Sequence, residues 1–322
     1  MYKVVSLFSG CGGADCGLIG GFEFNNKKYK KLPYRLVYVS DIDKKALDTN
    51  RLNCDSEVLA CKDICETDSC EIPNHDVLIG GFPCQSFSTV NPTKDPFDDR
   101  ANLYKQMVRI AKDKQPKICI AENVKGLMTL HGGSIFRKVI SAFNEAGYDV
   151  FYELINAADY GVPQKRERVI LVCVRKDLNK TYQFPEKPNR GHWVPLSVAV
   201  PVLAIPEKKY YFSERAVQGM KNAKNNMKRG LAQNLDEPCL TVTSHLAKVS
   251  LNSRDPVLLV DKEKELYRRF TPREAARIQS FPDTFQFPGT EADAYRQIGN
   301  AIPPVMFWHI AKSVADLLDS IE

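Results

Sequence analysis

Residues 2–20 read Tyr2-Lys3-Val4-Val5-Ser6-Leu7-Phe8-Ser9-Gly10-Cys11-Gly12-Gly13-Ala14-Asp15-Cys16-Gly17-Leu18-Ile19-Gly20. The run Lys3–Phe8 is apolar and β-branched, as a strand buried on both faces requires. It breaks into Phe8-Ser9-Gly10-Cys11-Gly12-Gly13, a tight glycine turn over which a ligand can approach the backbone. Outward from it, similar runs recur at Arg35–Ser40, Val58–Cys61, Asp76–Ile79, Lys117–Ala121, Val150–Asn156 and Arg168–Val174. Helical patterns fill the gaps, most clearly Ser134–Ala146, which Gly147 stops. Such alternation is the signature of parallel strands joined by right-handed helical crossovers. The expected fold is α/β, an open, doubly wound and mostly parallel sheet.

After about Asp177 prolines recur at Pro185, Pro188, Pro195, Pro201 and Pro206, and the alternation stops. A second, smaller domain is expected over residues 179–291, the first comprising 1–178 plus 292–322. Within the latter, Ala294–Leu318 reads as a turn and a long amphipathic helix that packs back on the first domain. No internal repeat or low-complexity segment is present.

The 322 residues are 43% hydrophobic and 26% charged, as in soluble globular proteins. No window approaches eighteen uncharged apolar residues, and Lys3 stands where a signal peptide needs a long apolar stretch, so a cytoplasmic protein without membrane contact is expected. Ten cysteines without paired CxxC motifs suit free thiols. Cys54, Cys61, Cys65 and Cys70 crowd one stretch but match no zinc spacing, so no metal is expected. The net charge of +6 suits a polyanionic partner. Between Pro206 and Gly230 seven Lys or Arg face two acids, a solvated face unless nucleic-acid chemistry appears elsewhere.

In an open parallel sheet ligands bind beyond the carboxyl ends of the strands. The unusual motifs fall there. Strand one enters the glycine turn, strand two Asp41-Ile42-Asp43, strand three Asp63-Ile64, strand four Gly81-Phe82-Pro83-Cys84-Gln85, and strand five Glu122-Asn123-Val124. The set suits a nucleoside-bearing cofactor, with a carboxylate for ribose hydroxyls, an apolar residue to stack on a purine, and a second carboxylate for its amino group. Asp15 stands where the dinucleotide fingerprint wants its third glycine, and no phosphate cradle with a Lys is present. A nicotinamide oxidoreductase accounts for sheet and turn but leaves Pro83-Cys84-Gln85 unexplained.

FSGCGG (8–13), GFPCQSFS (81–88), ENVKGL (122–127), QKRERV (164–169) and QIGNAIPP (297–304), in this order, resemble the motif series of DNA cytosine-5 methyltransferases. The likeness covers residues 3–176 and 267–311. It implies methyl transfer from S-adenosylmethionine to C5 of a flipped cytosine in duplex DNA, leaving S-adenosylhomocysteine. Phe8, Gly10 and Gly12 then line the methionine end, Asp41 takes the ribose place where the family more often has Glu, and Ile42 flanks the adenine. Asp63 and Ile64 bind that base, and Leu103 and Asn300 complete the pocket.

C5 of cytosine is a poor nucleophile until something adds at C6, and a thiolate does this well. Cys84 is the expected nucleophile, its pKa lowered by a cationic or helix-end environment. Glu122 is the expected acid against N3, kept protonated by burial against the base, with Asn123 orienting the loop. Within QKRERV, Arg166 is expected to reach the cytosine O2 and the catalytic acid, and Arg168 to serve architecture. Gln85, Ser86, Arg100, Arg168, Lys221, Lys224 and Lys228 form the expected DNA-binding set, Arg100 meeting phosphate as the loop closes. The second domain then reads sequence in the major groove, while Arg273 and Arg277 make salt bridges within Arg268–Pro282. Partners implied are double-stranded DNA and a cognate restriction endonuclease, the enzyme being a monomer. Transfer RNA as substrate and a silent DNA-binding module are the alternatives.

Overall fold

The structure, a computed structural model, describes residues 1–83, 103–222, 232–248 and 256–321. Its strands are β1 (Tyr2–Leu7), β2 (Phe22–Phe24), β3 (Lys27–Tyr29), β4 (Tyr34–Asp41), β5 (Leu59–Cys61), β6 (Val77–Gly80), β7 (Ile118–Val124), β8 (Tyr148–Asn156), β9 (Gln164–Lys165), β10 (Glu167–Arg175), β11 (Cys239–Leu240), β12 (Leu258–Asp261) and β13 (Leu266–Arg268). Its helices are α1 (Gly13–Ile19), α2 (Lys44–Asn53), α3 (Tyr104–Lys114), α4 (Ser134–Glu145), α5 (Glu214–Asn222), α6 (Pro272–Ile278), α7 (Glu291–Asn300) and α8 (Pro304–Asp319).

The main sheet runs β5-β4-β1-β6-β7-β10-β8. The pairs β4–β5, β1–β4, β1–β6 and β6–β7 are parallel, whereas β10 is antiparallel to both β7 and β8. Between β8 and β10 the chain has only a short helical turn and β9. A parallel return needs a crossover of about a dozen residues or more, so β10 comes back the other way. Its first residues, Glu167-Arg168-Val169 of QKRERV, therefore lie beside the carboxyl end of β7.

Alternation along the strands sends successive side chains to opposite faces. Ile118, Ile120, Ile170, Val172 and Val174 join the core under α1 and α8, while Cys119, Ala121, Val169, Leu171 and Cys173 join that under α3 and α4. Burial on both faces makes the strands legible as continuous apolar runs. No described helix is long and apolar enough to cross a membrane, and the nine described cysteines form no disulfide.

A third core gathers Leu196, Cys239, Val242, Phe270, Ala276 and Phe281 with Ala294, Tyr295 and Ile298 of α7. The Ala294–Leu318 segment is thus two helices, not a turn and one helix. Thr290 and Asp293 close a capping box that starts α7, and Pro304 opens α8, where its missing N–H costs nothing. Helix α8 does pack on the sheet, through Val305, Phe307, Ile310 and Val314. Helix α7 packs instead with α6 and the proline-rich half.

Candidate active site

The carboxyl ends of β1, β4, β6 and β7, joined by the start of β10, form one edge. Antiparallel register sets Arg168 opposite Val124 and Ile170 opposite Glu122. The Arg168 Nε lies 2.9 Å from Glu122 Oε1, with both side chains 13% exposed. A Cβ added at Gly81 would sit 3.0 Å from Glu122 Oε2, so glycine there leaves the carboxyl its room. Buried Asn123 donates to the Phe82 carbonyl at 2.8 Å and accepts from the Val124 amide at 2.9 Å. The end of β7 is thereby bonded to the segment that leads into Cys84. Cys84, Gln85, Ser86 and Arg100 lie outside the described residues.

Arg166 does not meet Glu122, and the expectation that it would is corrected in favour of Arg168. Arg166 is buried, with Nη1 on the Val242 carbonyl at 3.1 Å and Nη2 on those of Gly299 and Ala301 at 3.0 and 3.1 Å. Burial pulls its pKa well below the usual arginine value. That of Arg168 is also lowered by burial, with Glu122 acting in the opposite sense. The cause is local. Arg166 sits at the break between β9 and β10, so its side chain is free of the ladder's alternation and turns toward Val242.

At the cofactor edge, Phe8 (φ 53°), Gly10 (φ 54°) and Gly12 (φ 91°) all take the left-handed conformation. Among the described residues a Cβ on Gly10 would meet nothing within 4 Å, so none of them fills the space above the turn. Asp41 accepts the Gly10 and Asp43 amides, each at 2.8 Å, and burial raises its pKa. Four lone-pair sites leave it capacity for ribose hydroxyls. Ile42 is 70% exposed beside it, free to lie against a flat ring. Asp63 holds the Cys65 amide at 2.9 Å, Ile64 is buried, and Leu103 packs with Phe8 in one core. Asn300 is exposed at the end of α7. Turn, carboxylates and apolar flank fit a nucleoside-bearing sulfonium compound.

Beneath the turn lies a buried acid that no sequence signal marks. Asp15 is buried under the turn and accepts from Asn50 Nδ2 at 2.6 Å; burial pushes its carboxyl from an ordinary 3.8 up to about 6. A folded-state pKa raised this way gives stability that is full below pH 3.8 and lost as pH rises through about 6. Asp15→Asn keeps an acceptor for Asn50 without the charge. At pH 8 it should gain on the order of 3 kcal/mol. Urea melts at pH 4.5 and pH 8 check this, and a variant as sensitive to pH as the parent would refute it. Helix α7 is tied to the start of α2 by Arg296–Asp43, by Lys45–Asp293 at 2.9 Å and by Thr49 Oγ1 donating to Gln297 Oε1 at 2.8 Å.

A cleft of about 440 Å³ opens beside Arg168, lined by Lys125, Asn156, Lys165 and Thr241 among others. Lys125 pairs with Glu167 at 2.9 Å and Lys165 with Glu237 at 3.0 Å. Of the expected phosphate-binding lysines, Lys221 pairs with Glu265, while Lys224 and Lys228 lie outside the described residues. Arg277 pairs with Asp283 at 2.7 Å, whereas Arg273 donates to the Phe285 carbonyl at 3.0 Å and, among the described residues, to no carboxylate.

The sequence profile of the C-5 cytosine-specific DNA methylases matches residues 2–316. This chain belongs to that family. The methyltransferase is 34% identical to the type II methyltransferase M.FnuDI of Fusobacterium nucleatum, over 99% of this chain and 96% of that one. It is 33% identical to the type II methyltransferase M.NlaX of Neisseria lactamica, over 100% and 98%. Among solved structures, the S. pombe Dnmt2 methyltransferase superposes with a TM-score of 0.73 at 18% identity, over the whole of both chains. The Entamoeba histolytica methyltransferase EhMeth gives 0.74 at 18%, over 98% of each, and both likenesses bear on the fold alone. The methyltransferase acts on C5 of cytosine in DNA, and its family uses S-adenosylmethionine.

Proposed function

We propose that the methyltransferase binds duplex DNA across the cleft beside Arg168, rotates one cytosine of a specific sequence out of the stack, and attacks it through Cys84. The observation that carries this reading is the setting of Glu122, between Gly81 on the path to Cys84 and the guanidinium of Arg168. The Cys84 thiolate gives an electron pair to C6, and the C5–C6 π pair is pushed toward C5 and N3. Glu122 supports N3 by sharing a proton, and Arg168 holds the carboxyl in place and faces O2. S-adenosylmethionine, when bound, supplies an electrophilic methyl group and leaves as S-adenosylhomocysteine. Phe8, Gly10, Gly12, Asp41, Ile42, Asp63, Ile64, Leu103 and Asn300 would hold it. The C5 proton then departs to water or a small base, and the electrons it leaves re-form the double bond as the thiolate is expelled. Flipping costs a few kcal/mol, recovered through contacts in the pocket that receives the base.

Residues 1–178 and 292–322 carry the chemistry in this reading, and 179–291 read the target. Gln85, Ser86 and Arg100 contact DNA near the flipped base, and Lys221, Lys224 and Lys228 meet phosphates, Lys221 by exchanging Glu265 for one. The enzyme is a cytoplasmic monomer that needs no metal, paired with a restriction endonuclease of the same specificity, as the type II names of its relatives support. Bisulfite sequencing of DNA from cells expressing the chain tests this. Protected cytosines in one short recurring sequence are the expected result. No protection, or protection without sequence context, overturns it.

A further inference from the structure

Gly299 lies in the last turn of α7, and its φ is not in the left-handed region, so backbone conformation does not demand glycine there. Its surroundings do. A Cβ would stand 2.2 Å from the Thr243 carbonyl carbon and 2.3 Å from both the Thr243 oxygen and the Ser244 nitrogen, all backbone atoms. Helix α7 thus lies backbone to backbone on the proline-rich half of the chain.

Buried polar groups weld the contact. Arg166 bridges the Val242, Gly299 and Ala301 carbonyls. Gln164 accepts the Val242 amide at 2.9 Å and donates to Gln279 Oε1 at 2.6 Å. Gln279 in turn donates to the Ile298 and Ala301 carbonyls at 2.8 and 2.9 Å. Strand β11 adds a parallel pairing with β9, and the Thr241 hydroxyl donates to the Lys165 carbonyl at 2.8 Å. Because these groups satisfy one another, Thr241–Ser244 cannot shift alone without leaving buried donors and acceptors bare.

We infer that Gly299 is a positioning residue for target reading: its missing side chain lets α7 clamp Thr243–Ser244, which fixes the DNA-reading half at a set distance from Glu122 and Arg168. The inference rests on the reading of residues 179–291 as the target-recognition unit. An alanine at 299 must move Thr243–Ser244 outward, since a 2.2 Å approach has to open to the 3.4 Å of ordinary contact. Such a shift is large against the tolerance of groove contacts.

The test compares wild type with Gly299→Ala on the duplex that bisulfite sequencing identifies and on one with that site scrambled. The expected result is a loss of about tenfold or more in the ratio of the two affinities. Affinity for the scrambled duplex should hold within about threefold, being set by phosphates. S-adenosylmethionine affinity by calorimetry should also hold, and adding Thr243→Gly should restore nothing, because the colliding atoms are backbone. An unchanged ratio overturns the clamp, as does a loss of cofactor affinity in step with the ratio. Failure of the wild type itself to discriminate overturns the functional reading instead. Should Gly299→Ala not fold, native-state hydrogen exchange of the wild type decides: the Val242 and Ala301 amides should open as one unit, within about threefold. Val242 opening at least about tenfold more readily overturns the inference.

Discussion

A duplex carrying 5-fluorocytosine at the target position should become irreversibly linked to the methyltransferase through Cys84 when S-adenosylmethionine is supplied. Addition of the thiolate at C6 joins enzyme and base until the C5 substituent leaves as a cation. A proton can do so and fluorine cannot, so the thioether persists. The linked species should survive denaturing electrophoresis, with peptide mapping placing the bond on Cys84. Cys84→Ser should form none and lose turnover by on the order of 10⁴-fold or more, because an alkoxide is far harder to generate than a thiolate near neutral pH. It should still bind cofactor and DNA, since neither site depends on the sulfur. Trapping at another cysteine, or undiminished trapping in Cys84→Ser, would sink the mechanism.

The two arginines of QKRERV should part company by readout. Arg168 reaches the Glu122 carboxyl, so Arg168→Ala should lower kcat by about 10²–10³-fold, as loss of one preorganised donor does. Trapping should slow in parallel, and the melting temperature should fall less than in Arg166→Ala, since one partly buried partner is left bare rather than three buried carbonyls. Arg166 holds three carbonyls in the interior. Bare buried acceptors cost about 1–3 kcal/mol each, so Arg166→Ala should appear first as a large fall in melting temperature. What activity remains should keep its kcat more nearly than its stability. The reverse pattern, a stable but inactive Arg166→Ala beside an active Arg168→Ala, would return the chemistry to Arg166.

Sequence alone could not separate these two residues, and the reason is physical. Both are arginines two positions apart at the mouth of a strand, and only the break at Arg166 sends one into the interior and the other to Glu122. The strands were another matter. Val4, Val5, Leu78, Ile79, Ile120 and Val172 sit between two layers of helices, so the strand interiors run apolar and the pattern shows without partners. The glycine turn and the strand-end acids were readable for a related reason, since their chemistry is local. Helix α7 was not. Its capping box uses Asp293 where Glu or Gln is the usual signal, and its ties to Asp43 and Lys45 span 253 and 248 positions. In sequence Asp15 stands out only as an absent glycine; its burial over Asn50 follows from the packing of α1 against α2.

The sheet face beneath α1 is finished by residues from the far end of the described chain. The Tyr2 hydroxyl bonds Asp319 at 2.7 Å across 317 positions, and that of Tyr34 bonds the Ala311 carbonyl across 277. Gly17 lies so close to α8 that a Cβ would stand 2.5 Å from the Pro304 carbonyl oxygen. At about 5–20 residues per second, a ribosome exposes Tyr34 on the order of tens of seconds before Ala311 exists to meet it. Through that interval Tyr34 and the α8-facing side of α1 lack the cover α8 provides, and contacts of such wide separation close slowly even afterwards. Yield in a cell is then governed by how well this nascent surface is shielded from other chains, and slowed translation lengthens the exposure.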